Sequence, residues 1–255
     1  MSNDLEARKN YAMTEGIEGP LGFEDVDSSD LVIPRIKVIN ALSPERQDGI
    51  AAEGDIVNSL TKDMILPEHK FIPLKMTYSN IEWVPRDMGE GIVCRSFNGK
   101  IGNNNINGQT LACHVCRRNE FDNTKQGKEA QPKCNKYINF LGFFEHDPMP
   151  VVLSFARTNY NEGKKLLSIA KSLRDNMFNH SYSITSKLQT KDKTRWYNIA
   201  TSLVGDTTPE MREFAKSIYY SLAERELKLD LEEANYSSTD NSDDNIDVDP
   251  TKVGF

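Results

Sequence analysis

The sequence predicts a mainly β protein with some α-helix, built as an OB-fold barrel that carries an inserted zinc-binding loop and a C-terminal helix. Between residues 70 and 203 the pattern is three strands, a helix and two strands, which is the element order of an OB-fold. Four cysteines lie within 41 residues between the first two of these strands, and an amphipathic helical pattern follows the last strand. In a chain of 255 residues, one core with polar extensions is more usual than two full domains.

Short apolar runs and period-two alternation predict the strands. Pro34 makes the first of them an edge or irregular strand. The last two alternate most clearly, with Tyr182 and Ile184 on one face of the first and Tyr197 and Ile199 on one face of the second. In chain order the predicted strands span residues 31–39, 55–66 (as a short hairpin), 70–78, 81–84, 137–145, 151–157, 181–189 and 195–203.

Two helices are predicted from the 3.6-residue period. In residues 161–178, apolar residues recur at i, i+4, i+7 and i+11, which places them on one face. A last helix begins at Thr207 or Thr208, because Pro209 suits the first turn and Glu210 suits a capping box. Its predicted buried stripe comprises Met211, Phe214, Ala215, Ile218 and Leu222.

The net charge of -7 would by itself argue against a nucleic-acid partner, but the acidic surplus lies at the two ends. Residues 1–30 carry a net charge of -6, residues 31–226 carry +5, and residues 227–255 carry -6. The predicted domains are an acidic disordered segment at 1–30, a core at 31–227 with a zinc insertion at 94–134, and an acidic disordered tail at 228–255. The residues predicted to bind partner proteins in this tail are Asp243, Asp244, Asp247, Asp249 and Phe255.

All four cysteines of the chain, Cys94, Cys113, Cys116 and Cys134, lie in a segment that lacks apolar periodicity. Cys113 and Cys116 form a C-x-x-C pair, and loops of similar length separate it from the outer two cysteines. Four thiolates in a tetrahedron suit one structural Zn²⁺ ion, and its binding would order a segment without a core. His114 is the alternative to one cysteine, while a redox C-x-x-C or free thiols are the competing interpretations.

Basic and aromatic residues alternate around the cysteines and in the last predicted hairpin. This mixture is typical of single-stranded nucleic-acid binders, because cations follow the phosphates and each aromatic stack contributes about 1–3 kcal/mol. In an OB-fold the binding face is bordered by the loops after strands 1 and 4, which here are the cysteine segment and residues 190–193. The candidate nucleic-acid-binding residues are Arg95, Phe97, Lys100, Arg117, Arg118, Phe121, Lys136, Tyr137, Arg157, Lys191, Lys193, Arg195 and Trp196.

With these cysteines, this element order and this tail, the chain resembles the single-stranded-DNA-binding proteins of tailed phages, and its plan is similar to that of the zinc-containing helix-destabilising proteins of T-even phages. The resemblance implies an OB-fold core with a zinc site, a basic cleft and an acidic C-terminal tail. The zinc ligands of that family include a histidine with three cysteines, whereas four cysteines are present here. The ending at residues 247–255 also looks like the acidic, Phe-terminated tails of bacterial and other phage single-strand binders, which recruit replication partners, although Lys252 departs from that pattern.

These features favour a non-enzymatic protein that coats and protects single-stranded DNA in phage replication and recombination, largely without sequence preference, in the cytoplasm of the infected host cell. Its tail would recruit replication or recombination proteins. The alternative is a zinc-ribbon transcription cofactor that acts through contacts with RNA polymerase. The predicted ordered segments contain no carboxylate cluster, Ser-His-Asp pattern or Gly-rich phosphate loop, which argues against an enzyme. No apolar run approaches the length of about 18 residues that a membrane span needs, and residues 1–10 lack a secretory signal.

Overall fold

The computed structural model describes residues 32–85, 91–125 and 130–223, and within them the predicted mainly β class with some helix is confirmed. The terminal segments predicted at 1–30 and 228–255 lie outside the described residues. The strands are β1 (Arg35–Val38), β2 (Ile56–Asn58), β3 (Lys70–Trp83), β4 (Ile92–Ser96), β5 (Ile101–Asn104), β6 (Thr110–Ala112), β7 (Cys134–Phe144), β8 (Asp147–Ala156), β9 (His180–Lys191) and β10 (Thr194–Asp206). The helices are α1 (Pro44–Gln47), α2 (Tyr160–Ser172) and α3 (Pro209–Ala223), with 3-10 turns at Cys113–Val115, Arg117–Asn119, Arg157–Asn159 and Met177–Asn179. No helix in the described part is long and apolar enough to cross a membrane.

The structure differs from the predicted elements in several places. The hairpin predicted at 55–66 contains only the strand β2 and an isolated bridge between Val57 and Met64, and the short helix α1 is absent from the predicted elements. The strands predicted at 70–78 and 81–84 form the single strand β3. The helix predicted to reach residue 178 ends at Ser172, because Arg174 takes a left-handed backbone conformation with φ of 54°. The cysteine segment, for which no strands were predicted, contains the short strands β4, β5 and β6. Residues 91–125, which contain these three strands and two of the 3-10 turns, are called the arm below.

The long strand β3 is the centre of a ten-stranded sheet in the described part of the chain. It pairs with β7 along most of its length, with β9 at Lys70 and Phe71, and with β4 from Asn80 to Trp83. The sheet continues from β7 to β8 and then to β1, which is parallel to β8 and antiparallel to β2. On the other side, β4, β5 and β6 extend β3 into the arm. The β9–β10 hairpin joins through β9.

One core fills the space between these strands and α2. Phe140, Phe155, Tyr182 and Ile184 are fully buried in it, and Leu166 and Ala170 of α2 pack against them. The predicted stripe of α3 covers a second, smaller cluster with Phe143 at its centre, apart from Leu222, whose side chain lies outside the described set. The period-two and 3.6-residue patterns therefore identify most of the buried faces correctly.

The strands β8 and β10 do not pair with each other within the described residues. Two asparagine side chains, one after β1 and one after β8, bridge this seam to β10. The Asn40 amide donates to the Tyr197 carbonyl oxygen at 3.2 Å and accepts from the Tyr197 N–H at 2.6 Å. With its nitrogen turned towards β10, the Asn159 amide donates to Ile199 O at 2.9 Å and accepts from Ile199 N at 3.2 Å. Because Tyr197 and Ile199 are two residues apart, both amides satisfy the same edge of β10.

We expect Asn40→Ala to lower the free energy of unfolding by about 2–4 kcal/mol, because it leaves a backbone N–H and a backbone C=O of β10 without their partner. Asn40 itself is buried, so water does not readily replace the amide. Urea unfolding followed by circular dichroism measures the change. The exposed Asn123→Ala is the matched control, and an Asn40→Ala midpoint equal to that of Asn123→Ala contradicts the role of the seam.

Candidate functional site

The four cysteines line one cavity of about 600 Å³ between the arm and the body of the protein. Cys94 on β4 and Cys134 on β7 are both directly opposite Glu82 on β3, so these three residues form a row across three strands. Cys113 and Cys116 reach the same cavity from the first 3-10 turn of the arm. The structure therefore brings together the cysteines that the sequence predicts to act together.

Sequence reasoning missed Glu82 as a member of this cluster. Its side chain is buried and pairs with the guanidinium of Arg118, which is half exposed on the second 3-10 turn. A buried carboxylate requires such a partner, so Arg118 has a structural role in the arm besides any contact with a ligand. The signal in the sequence was a lone acidic residue between Ile81 and Trp83 in a predicted strand.

The surroundings of Cys94 and Cys134 hold these two thiols in their neutral form. Burial raises the pKa of Cys94, and the neighbouring Cys113 and Cys116 raise it further. Burial and the other cysteines raise the pKa of Cys134 to about 12, and Glu82 contributes in the same direction to both thiols. Four thiolates at this place would repel one another, so only a bound cation could make their ionisation favourable.

We expect the metal-free protein to lose stability as the pH rises above about 8.5, the usual pKa of an unfolded thiol. A raised folded-state pKa stabilises the fold fully below that value, and this contribution is lost as the pH rises towards the folded-state pKa of Cys134, about 12. Urea unfolding between pH 7.5 and pH 10, with chelator and reductant, measures the loss. The Cys94→Ser/Cys134→Ser variant is the control for other titrating groups, and an equal pH dependence in both proteins contradicts the prediction.

The donor type and the space in the cavity suit a thiophilic cation. Gly102 leaves room for the sulfurs, because a Cβ there would lie 3.0 Å from Cys94 Sγ and 3.6 Å from Cys113 Sγ. Sulfur donors in fours select Zn²⁺ in proteins. Within residues 32–85, 91–125 and 130–223, however, no group of three or more His, Cys, Asp or Glu side chains is arranged so as to hold a metal ion. His114 is exposed and does not line the cavity.

The predicted nucleic-acid-binding residues are divided between the two faces of the sheet. On the outer face, Arg95 is opposite Ile81 on β3, and Ile81 is opposite Asn135 on β7. The Arg95 guanidinium lies 5.1 Å from the centre of the Phe97 ring. Arg157 donates from Nε to Asn135 Oδ1 at 3.1 Å. The base of the arm is the place where β4 pairs with β3. Across it, the order of side chains is therefore Phe97, Arg95 and Arg157.

Trp196 extends this series on β10. Two residues after it, Asn198 accepts a hydrogen bond from Thr158 Oγ1 at 3.3 Å, and Thr158 is the neighbour of Arg157. Alternate residues of a β-strand share a face and lie about 7 Å apart. The side chains of Trp196 and Asn198 are therefore on the same face of β10, the face that contacts the turn after β8. We call Phe97, Arg95, Arg157 and Trp196 the outer row. It has an aromatic side chain at each end and a cation at each middle position.

The remaining candidates lie elsewhere. Tyr137 is only 6% exposed and packs in a small cluster with Ile81, so its ring is part of the packing. Lys136 is on the opposite face from its neighbour Tyr137, because it pairs with Asn80. The other candidates are Arg117 and Arg118 at the cysteine cavity, Lys100 and Phe121 exposed on the arm, and Lys191, Lys193 and Arg195 at the tip of the β9–β10 hairpin.

The fold and the cavity define a mainly β protein in which three cysteines of the arm and one of β7 line a single cavity. The family model for the Pam3 phage gp34-like protein matches residues 5–228, so the chain belongs to this family of phage proteins. No curated protein and no solved structure matches the chain. The match agrees with the predicted phage origin, and the description of the family names neither a ligand nor an activity.

Proposed function

We propose that this phage protein binds single-stranded DNA without an enzymatic activity and protects it during replication or recombination in the host cytoplasm. The observation that carries the proposal is the outer row, in which the Arg95 guanidinium lies near the Phe97 ring, Arg157 bonds to Asn135, and Trp196 shares a face of β10 with Asn198, which contacts the turn after β8. Cations for the phosphates and aromatic rings for the bases are what a single strand needs, because every base has a face that can stack. The net charge of +5 over residues 31–226 suits the same polyanion.

The strand pairings support an OB-fold assignment. β3 pairs with β7 and β9, β7 pairs with β8, and β9 pairs with β10, while α2 lies between β8 and β9 in the chain. An OB-fold has this connectivity, with β3, β7, β8, β9 and β10 as its five strands in order. The place between β8 and β10 is taken by β1 and by the two asparagine bridges of the seam. Its binding face would be the outer face of β7 and β8, where Arg157 lies.

A structural Zn²⁺ ion held by Cys94, Cys113, Cys116 and Cys134 is part of the proposal. When bound, the ion would supply a cross-link without redox chemistry. Ligation requires the four side chains to turn towards one point in the cavity they share. Cys94 is the residue before Arg95. An ion that fixes Cys94 is therefore expected to fix the positions of Arg95 and Phe97 in the outer row as well.

Titration of the full chain with labelled single- and double-stranded oligonucleotides at several salt concentrations tests the function. We expect preference for the single strand, with log K falling by about 0.7 per phosphate contact for each tenfold rise in salt. In a Trp83→Phe background, quenching by oligo-dT reports on Trp196 alone. Tighter binding to duplex DNA, or no binding to either, refutes the proposal.

The acidic tail at 228–255 is outside the described residues, and we propose that it competes with DNA for the basic surface and recruits replication or recombination proteins. The same titration with a variant that lacks residues 237–255 tests the competition. We expect tighter single-strand binding than in the full chain at low salt. Equal affinities of the full chain and of the truncated variant contradict the competition between tail and DNA.

We expect Arg157→Gly to change stability and binding in opposite directions. Arg157 has a φ of 49°, a left-handed conformation that costs a non-glycine residue about 1 kcal/mol and that glycine adopts freely. The variant should therefore unfold at an equal or higher urea concentration, while single-strand affinity falls and the salt slope decreases by about 0.7. Arg174→Gly, also left-handed at φ of 54° but on the far end of α2, is the matched control. Unchanged DNA binding by Arg157→Gly contradicts the proposed contact.

A further inference from the structure

Two tyrosines lie at the base of the arm on the side of the sheet opposite to the outer row. Tyr78 on β3 is 41% exposed. It is directly opposite Ile138 on β7, and Ile138 is directly opposite Phe155 on β8. Residues paired in this way share a face, and neighbouring strands are about 4.8 Å apart. Tyr78 is therefore the exposed end of a row whose other two members belong to the core.

Tyr160 approaches the same row from α2. Gly163 of this helix packs directly on Phe155, since a Cβ on Gly163 would lie 2.7 Å from Phe155 Cβ. Tyr160 is one turn earlier on the same helix face and is partly buried against the core. Lys164 Nζ stands 5.2 Å from the centre of the Tyr160 ring. Burial raises the pKa of Tyr160, as does Tyr78 beside it, so the Tyr160 phenol stays uncharged and does not repel a phosphate.

These tyrosines are continuous with the outer row at two points. Gly99 packs against Tyr78, because a Cβ on Gly99 would lie 2.9 Å from Tyr78 Cβ, and Phe97 begins the same turn between β4 and β5. Arg157 is separated from Tyr160 only by the rest of one 3-10 turn. A DNA single strand bound on the outer row can thus pass around either turn and reach the opposite side of the sheet, the inner face, where the two tyrosines lie.

We propose that the single-stranded-DNA site extends around the base of the arm onto this inner face, where Tyr78 and Tyr160 stack on bases and Lys164 contacts the phosphate between them. The proposal rests on the proposed function and names two stacking residues outside the predicted set. The extended site would bind a longer segment of single-stranded DNA than the outer row alone could accommodate.

The test compares Tyr78→Ala and Tyr78→Phe by anisotropy of labelled oligo-dT of increasing length. Loss of one stacked base should weaken the binding of long oligonucleotides by Tyr78→Ala about 5- to 150-fold, whereas Tyr78→Phe keeps the ring and should bind as the wild type does. Oligonucleotides too short to reach the inner face should bind both variants equally. Tyr220→Ala, which removes a tyrosine that is 58% exposed on α3, is the matched control.

Tyr160→Phe and Tyr160→Leu test the second ring, and urea unfolding of each variant separates a folding defect from a binding defect. Because Tyr78 is at the surface, its substitutions are less disruptive to the fold, and its variants decide the outcome if Tyr160→Leu unfolds. If the wild type binds oligo-dT and Tyr78→Ala binds every length equally well, the extension is refuted while the proposed function stands. If the wild type binds no oligonucleotide, both are refuted.

Discussion

Replacing Cys113 and Cys116 together by serine is expected to abolish tight Zn²⁺ binding and to weaken single-strand binding as a consequence. A structural site with four ligands binds with about 10–16 kcal/mol at neutral pH, so the loss of two thiolates removes several kcal/mol. The 3-10 turn that carries these two residues would then lose its metal link to Cys94 on β4 and Cys134 on β7, which line the same cavity. Arg95 directly follows Cys94, and Phe97 lies in the next turn, so both are expected to become less firmly positioned although β4 still pairs with β3.

The measurements are elemental analysis of protein purified without chelator, and limited proteolysis with and without added Zn²⁺. The wild type should contain one ion per chain and gain protection in the arm, while the double variant should show neither. His114→Ala is the matched control, because His114 lies between the two cysteines but is exposed and outside the cavity. Loss of the ion in His114→Ala would mean that the histidine is a ligand. Absence of any bound ion in the wild type, even after zinc addition, refutes the site.

The double variant Phe97→Ala/Trp196→Ala is expected to lower single-strand affinity by about 30-fold or more. Each ring would lose a stacked base, at about 1–3 kcal/mol per base, and two such losses that add give this factor or more. Neither substitution removes a charge, so the slope of log K against log salt should stay as in the wild type. Arg95→Gln should do the reverse and reduce the slope by about 0.7.

Anisotropy of a labelled oligonucleotide is the suitable measurement, because the variant lacks the Trp196 fluorophore. Phe121→Ala is the matched control, since Phe121 is 67% exposed on the arm and is not a member of the outer row. An equal effect of Phe121→Ala would show that any exposed aromatic ring on the arm can stack on a base. Wild-type affinity in the double variant would remove the outer row from the proposed interface.

Local sequence patterns were sufficient to predict most of the secondary-structure elements and to predict which cysteines lie together. Alternation along residues 181–189 and 195–203 predicted the β9–β10 hairpin, and the turn residues between them confined its tip to within about two residues. Cys113 and Cys116 are three residues apart, and a single turn joins them. These features depend on neighbours in the chain, which is why the sequence carries them.

Other features depend on groups that are distant in sequence. Lys136 and Tyr137 were both assigned to the binding surface, yet consecutive residues of a strand point to opposite faces, and only the pairing of β7 shows which face each one takes. Asn40 and Tyr197 are 157 residues apart, so nothing local marks Asn40 as the bridge at the seam. Glu82 lies within a predicted strand, and only the strand register shows that it stands between Cys94 and Cys134.

The sequence by itself determined the mainly β class, the order of the strands outside the cysteine segment, and the set of four cysteines that share a cavity, because periodicity, turn chemistry and ligand spacing are local properties of the chain. Only the tertiary structure decided which cations and rings are neighbours: it placed the Arg95 guanidinium near the Phe97 ring and Arg157 beside Asn135, and it put Tyr78 on the opposite side of the sheet. The physical reason is that strand register and sheet curvature, which follow from packing over the whole core, set the direction of each side chain.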